Sequence, residues 1–306
     1  MKHVFVVNPL SGKGVLNREL ISELDRMRLD YYLTKRAGDG ENYIRETCMA
    51  NPSEKIRFYA CGGDGTLHEA VNGIFGFENA EAACVPIGSG NDFIRNFGMP
   101  AENFKDIGRQ LSGNAVNVDV IKYQGAAGGP AARYAVNMFN IGFDCNVVIK
   151  TAEIKKYPFI KGPFAYFLSI LIMLVKKEGA DITIDFDDGA SYRGRVLLTA
   201  IGNGAFCGGG LKGVPRADVS DGLIDVCIVK NVSRRVFISL FGKYPSGEYI
   251  EDKKAKDIVI YKKCKSLTVK NREPVWNLCV DGEIETAGEA RFEIIPNAIR
   301  FSLPSV

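Results

Sequence analysis

Apolar positions fall in short runs whose period changes along the chain. His3–Val7 is an apolar run of strand length. Val15, Leu16, Leu20, Ile21, Leu24 and Met27 recur near a 3.6-residue period, which predicts a helix over Val15–Met27. The same rhythm continues: a strand at Tyr31–Leu33, a helix at Gly40–Met49, a strand at Ile56–Ala60, a helix at Leu67–Phe75 and a strand at Ala82–Pro86. Strands alternating with helices predict a parallel sheet with helices on both faces.

From about Val116 the period shifts to that of strands. Val116–Tyr123 and Tyr134–Ile141 read as strands around the soft loop GAAGGPAA. A long helical segment is predicted over Asn146–Lys177, with breaks at Pro158 and Pro163. Closely spaced strands follow at 182–186, 192–201, 223–229, 258–261, 267–270, 276–280 and 291–295, an all-β pattern of sandwich type. The expected organisation is an α/β domain over residues 1–120 and a β-sandwich-like domain over 121–306, with the last strand free to return to the first domain.

Composition narrows the function. The 39 Lys and Arg against 36 Asp and Glu leave a net charge of +3, too balanced for a nucleic-acid binder. Eight cysteines, none in a CxxC pair, and only two histidines, His3 and His68, exclude zinc-site spacing and fit reduced thiols in a cytoplasmic protein. The longest apolar run, Phe164–Val175, has 12 residues, short of the ~20 that span a bilayer.

Candidate chemistry sits at predicted strand ends. Cys61–Gly73 reads CGGDGTLHEAVNG, with Gly62, Gly63 and Gly65 around Asp64 between a strand and a helix. Glycines admit backbone amides to an anion, and the helix N-terminus favours negative charge. Thr66 is a candidate helix cap. Asn8–Gly14 (NPLSGKG) follows the first strand, and Ile87–Asp92 (IGSGND) follows the fourth. In an open α/β sheet the loops at carboxyl strand ends share one crevice. Three polar glycine-rich loops there point to a phosphate-bearing ligand. Neither GxxxxGK[ST] nor GxGxxG occurs. Taken singly, GGDG is as compatible with a tight capped turn as with a phosphate site, and each outer loop is more often plain turn chemistry.

NPLSGKG, GGDGTLHEAVNG and PIGSGNDFIRNFG, in this order, resemble the catalytic domain shared by diacylglycerol, sphingosine and ceramide kinases. The likeness continues through NIGFDCNV at 140–147, IGNGAFCGGGLKGVPRADVSDGLIDV at 201–226 and VDGE at 280–283. It implies an ATP-dependent kinase that phosphorylates a lipid hydroxyl, diacylglycerol first, in a cleft between the two domains. It implies ATP contacts from Asn8, Pro9, Ser11 and Gly12, from Thr34, from Gly62, Gly63, Asp64, Gly65, Thr66, Leu67 and His68, and from Ser89, Asn91 and Asp92. It further implies that Asp64, Asp92 and Asp119 organise Mg2+, whose charge phosphoryl transfer requires.

Three carboxylates are candidates for the base. In an extended stretch, Asp281 and Glu283 of VDGE would point to one side and could accept the hydroxyl proton. Bacterial relatives assign the base to this motif, whereas sphingosine kinases assign it to the GGDG aspartate, here Asp64. The relatives' structural magnesium segment reads PRADVSDG here, over residues 215–222. Arg216 and Ser220 stand where relatives carry acids, and a guanidinium cannot ligate a cation. Asp218, Asp221 and backbone carbonyls are the ligands left.

The lysines around 154–177 and the run Asp252–Lys256 with Lys262, Lys263 and Lys265 read as solvated ends and loops, with anionic head-group contact as the functional alternative. The expected setting is the cytoplasm with transient contact at the inner membrane face, and a homodimer is left open. Competing functions are transfer to a sphingoid or NAD-like soluble acceptor, and a catalytically silent lipid-binding regulator.

Overall fold

The computed structural model describes residues 1–125, 132–154 and 179–306, with positions 169, 172 and 176 between them. The apolar alternation of the first strand sets the first domain. In β1 (Lys2–Val7), Val4 and Val6 face one side and Phe5 and Val7 the other. Val4 and Val6 pack with Phe58 and Ala60 of β3 (Ile56–Gly62) under α2 (Asp39–Ala50) and α3 (Asp64–Ile74), through Ile44, Cys48, Leu67 and Val71. Phe5 and Val7 pack with Tyr59 and Cys61 under α1 (Val15–Met27), through Leu20 and Leu24. With β2 (Asp30–Leu33) and β4 (Ala80–Pro86), the parallel order is β2-β1-β3-β4. All four carboxyl ends therefore lie on one edge.

Short helices α4 (Ala101–Lys105) and α5 (Ile107–Leu111) lead into the second domain. It comprises β5 (Asn114–Gln124), β6 (Arg133–Ala135), β7 (Met138–Gly142), α6 (Phe143–Ile154), β8 (Ala180–Phe186) and β9 (Ser191–Gly202). Then come the small hairpin β10 (Phe206–Cys207) and β11 (Leu211–Lys212), β12 (Ile224–Lys230) and α7 (Arg234–Phe241). The chain ends with β13 (Val259–Cys264), β14 (Ser266–Asn271), β15 (Trp276–Val280), β16 (Glu283–Ala287) and β17 (Glu289–Leu303). Strands β5, β8, β14 and β17 share one apolar core with β7, β9, β12 and β15, through Ile121, Ile184, Val269 and Phe292 against Phe139, Ile201, Val226 and Leu278.

Strand β17 joins the domains. Its first half pairs with β14, and its second half reaches β4, where Phe301 pairs in parallel with Ala82. The two halves are offset by a register shift between Ile295 and Ile299.

Three sequence expectations change. The run Tyr134–Ile141 is not one strand: it breaks into β6 and β7 because the amides of Val136, Asn137 and Met138 turn onto Asp281. The region taken as all-β contains α7, whose Ser233 side chain accepts from the Val236 amide as an N-cap. Of the long helix expected over 146–177, α6 is described, and most of the lysine-rich apolar segment after it lies outside the described residues. Among the described residues no helix is long and apolar enough to cross a membrane. The eight cysteines are all free, and seven are buried.

Candidate active site

Four loops meet at the carboxyl ends of β1–β4. After β1, the Asn8 amide donates to the Cys61 carbonyl (3.0 Å), and Asn8 Oδ1 accepts from the Leu10 amide (3.0 Å). Buried Asn17 of α1 holds the loop from beneath, donating to the Pro9 and Ser11 carbonyls at 3.0 and 2.6 Å. Gly12 has φ +63°, a conformation that favours glycine. Thr34, at the end of β2, is buried and donates its amide to the Val7 carbonyl (3.0 Å).

The loops after β3 and β4 are locked face to face. The Gly62 carbonyl accepts from the Ile87 and Gly88 amides at 3.1 and 2.9 Å. A Cβ on Gly88 would lie 2.3 Å from Gly63 Cα, so only glycine allows this backbone approach. Asp64 then clamps the second loop: Oδ2 accepts from the Asn91 amide (2.9 Å) and Oδ1 from the Asp92 amide (2.8 Å). The α3 N-cap is Gly63 without a side-chain cap, so the capping role expected of Thr66 is not taken up. Thr66 lies one turn in, and its Oγ1 accepts from Asn8 Nδ2 at 3.4 Å. An uncapped helix N-terminus ringed by glycines is suited to an anion. Ser89 is exposed, with no partner among the described residues.

The clamp concentrates negative charge. Burial, then the charge of Asp92, pushes the Asp64 carboxyl up to about 6, with Asp281 adding to the effect. Asp92 is buried, which raises its carboxyl too, and it accepts from the Gly209 amide at 2.9 and 3.0 Å. That bond ties the first domain to the loop between β10 and β11. Arg95, which the motifs did not single out, puts Nε 3.4 Å from Asp92.

The VDGE segment is a two-residue hairpin turn, because Val280 pairs with Glu283. Asp281 and Gly282 both have positive φ, +46° and +93°, the pattern that an Asp-Gly pair favours. The expectation that Asp281 and Glu283 point to one side fails for this reason. Asp281 turns inward and is buried. Its Oδ1 accepts from the Met138 and Asn137 amides (2.9 and 3.2 Å), and its Oδ2 lies 3.3 Å from the Val136 amide and 3.1 Å from His68 Nδ1. Arg133 Nη2 lies 3.4 Å from His68 Nε2 and 3.0 Å from Glu41. Arginine only donates, so Nε2 accepts and Nδ1 carries the proton toward Asp281.

The Glu283 side chain is exposed and makes no hydrogen bond or ion pair among the described residues. Its Oε1 lies 3.1 Å from where a Gly65 Cβ would stand, over the GGDGT turn. Of the three candidate bases, Glu283 alone keeps its carboxylate unengaged.

The remaining predicted metal ligands do not converge. Asp119 is wholly buried, and its two oxygens accept from the Asn297 and Gly222 amides, each at 2.7 Å. Asp218 Oδ1 accepts from the Ser220 amide and hydroxyl, and Asp221 pairs with Lys263. Among the described residues no three acids, histidines or cysteines gather as a metal cage.

Comparison with known proteins identifies the family. A family model described as the diacylglycerol kinase catalytic domain matches residues 2–123, and one described as the YegS C-terminal NAD kinase beta sandwich-like domain matches 137–303. A protein of Staphylococcus carnosus named diacylglycerol kinase is 31% identical over 91% of this chain and 87% of its own length. The chain belongs to the diacylglycerol kinase family. A namesake from Staphylococcus epidermidis is also 31% identical, over 91% of this chain and 84% of its own. A solved structure of a diacylglycerol kinase from Bacillus anthracis shares the fold, with TM-score 0.65, 23% identity and coverage of 98% of this chain and 96% of that one. Family membership places the chain among kinases, and the acceptor is a question for the site.

Proposed function

We propose that this chain transfers the terminal phosphoryl group of ATP to the hydroxyl of a membrane lipid, diacylglycerol first, giving phosphatidic acid. The observation that carries the reading is the free Glu283 carboxylate set over the GGDGT turn, facing loops built for phosphates. The loop from Asn8 to Gly12, Thr34, the α3 N-terminus from Gly62 to His68, and Ser89 hold the nucleotide. The lipid oxygen bonds to the terminal phosphorus, the bond to the bridging oxygen breaks with its electrons leaving on ADP, and Glu283 takes the hydroxyl proton. Asp281 sets the turn that aims Glu283, and His68 and Arg133 hold Asp281.

Mg2+ fits this site in the manner usual for it. Asp64 and Asp92 flank Gly90, where a Cβ would meet their oxygens at 2.5 and 3.5 Å, so the two carboxylates stand side by side at the loop. Two carboxylates with substrate phosphates suit magnesium, which rarely takes an all-protein cage. Bound there, it would neutralise charge on the phosphoryl oxygens.

The described second domain has an apolar cavity of about 30 Å³ between α7 and β9, lined by Leu198, Phe237, Leu240 and Tyr244. The reading places the protein docked on the membrane face, with the hydroxyl end of the lipid admitted to the site. The NAD kinase likeness of the second-domain family favours one rival, a soluble hydroxyl acceptor. Labelled-phosphate transfer from ATP and Mg2+ to lipid alcohols in mixed micelles, against soluble acceptors, separates them. Label in phosphatidic acid is the expected result, and label confined to a soluble product would overturn the lipid assignment.

A further inference from the structure

The family resemblance implies a structural divalent cation at residues 215–222, and the residues present do not fit one. Arg216 turns outward, ion-paired to Glu251, with its guanidinium 5.5 Å from the centre of the Tyr261 ring. Ser220 spends its hydroxyl and amide on Asp218 Oδ1, at 2.8 and 3.0 Å. Asp221 Oδ2, Asp225 Oδ2 and the Arg216 carbonyl converge on one point. Lys263 Nζ sits among them, at 2.6, 3.0 and 3.1 Å.

This placement follows from strand register. β12 and β13 are antiparallel with Asp225 directly opposite Lys263, so the lysine is delivered to the acids by the sheet itself. An ammonium carries three donors and no acceptor, and here it has three oxygens. Asp225 is wholly buried, and its other oxygen accepts from the Tyr261 hydroxyl at 2.7 Å. Its Oδ2 has no aligned hydrogen bond and relies on the ion pair with Lys263. A divalent ion added to these oxygens would meet a positive charge already within contact distance.

We infer that the Lys263 ammonium is a built-in cation that takes the place of the family's structural metal. It fastens the 215–222 loop to β12 and β13 by ion pairs and a hydrogen bond from a charge carried on the chain, rather than by an ion drawn from solution. The loop in turn grips the domain junction: Val219 accepts from the Asp119 amide (2.8 Å), and the Gly222 amide donates to the Asp119 carboxylate. On this arrangement magnesium is needed for the nucleotide and not for the fold.

The test uses nucleotide-free full-length protein, with thermal melts in EDTA and in calcium, and terbium luminescence excited through Tyr261. The wild type is expected to melt at the same temperature with and without calcium and to give no Tyr261-sensitised emission. Lys263→Met uncovers the two carboxylates and the carbonyl. It should melt lower in EDTA, recover in calcium and show the emission. If that variant does not fold, Asp221→Asn decides in the same melts: a lowered melting temperature that EDTA does not change supports the inference, and an unchanged one overturns it. Calcium stabilisation of the wild type that vanishes in Asp221→Asn also overturns it. Stabilisation that survives Asp221→Asn arises at another site and leaves this loop metal-free, as inferred.

Discussion

Asp281→Asn and Glu283→Gln, two near-isosteric changes in one hairpin turn, should fail in opposite ways. The Asp281 carboxylate takes four donors on two oxygens, from Val136, Asn137, Met138 and His68. An asparagine keeps one oxygen and presents an NH2 to the donors on the other side. If His68 changes tautomer to accept from it, Nε2 gains a proton that faces Arg133. Two bonds to a charged acceptor are lost either way, each worth ~1.5–3 kcal/mol. The backbone adds nothing, because asparagine tolerates φ near +46° as well as aspartate does. The expected destabilisation is about 3–6 kcal/mol, or a melting temperature lower by roughly 6–12 °C for a chain of this size. Glu283 is exposed and unpaired, so Glu283→Gln should change stability by less than about 0.5 kcal/mol. Loss of a proton acceptor should slow transfer by ~10²–10⁴-fold, with nucleotide affinity unchanged. Thermal melts, nucleotide calorimetry and initial-rate label transfer on both variants make the comparison. A Glu283→Gln protein at wild-type rate would refute the assignment and return the base to Asp281 or Asp64, and an Asp281→Asn protein that melts normally and transfers nothing would return it to Asp281.

Three further outcomes follow from the same geometry. Gly88→Ala places a methyl 2.3 Å from Gly63 Cα, so the two phosphate loops must part; a loss of about 1–3 kcal/mol with weakened nucleotide binding is expected, and unchanged calorimetry would contradict it. Asp64 has a folded pKa of about 6 against an ordinary 3.8, so the folded state holds the extra proton and stability falls as pH rises through that window. Asp64→Asn should flatten that decline, worth at most about 3 kcal/mol, in urea midpoints of nucleotide-free protein from pH 4 to 7; an identical slope would show that the cost lies elsewhere. Arg57 is buried with Glu81 at 2.9 Å and donates to the Gln110 and Gly113 carbonyls. Arg57→Met should cost about 3–5 kcal/mol by chemical denaturation, and a negligible cost would mean that Arg300, also on Glu81, suffices.

Much of this protein was legible in local pattern. The period of apolar residues is a local consequence of which face is buried, so β1 to β4 and α1 to α3 could be read to within a few residues. The glycine loops were legible because no other residue supports their turns or their close approach, and strand order then places them on one edge. What the sequence could not contain was the direction of each carboxylate. Asp281 and Glu283 are two residues apart in both descriptions, yet positive φ at Asp281 and Gly282 buries one and frees the other. Asp119 reads as a ligand until the Gly222 and Asn297 amides, distant in sequence, are found on its oxygens. Lys263 reads as one more solvated lysine until antiparallel register sets it opposite Asp225. Backbone periodicity is decided by neighbours along the chain. The partner of a charge is decided by whichever donors the packed strands bring to it, and only the tertiary structure contains that.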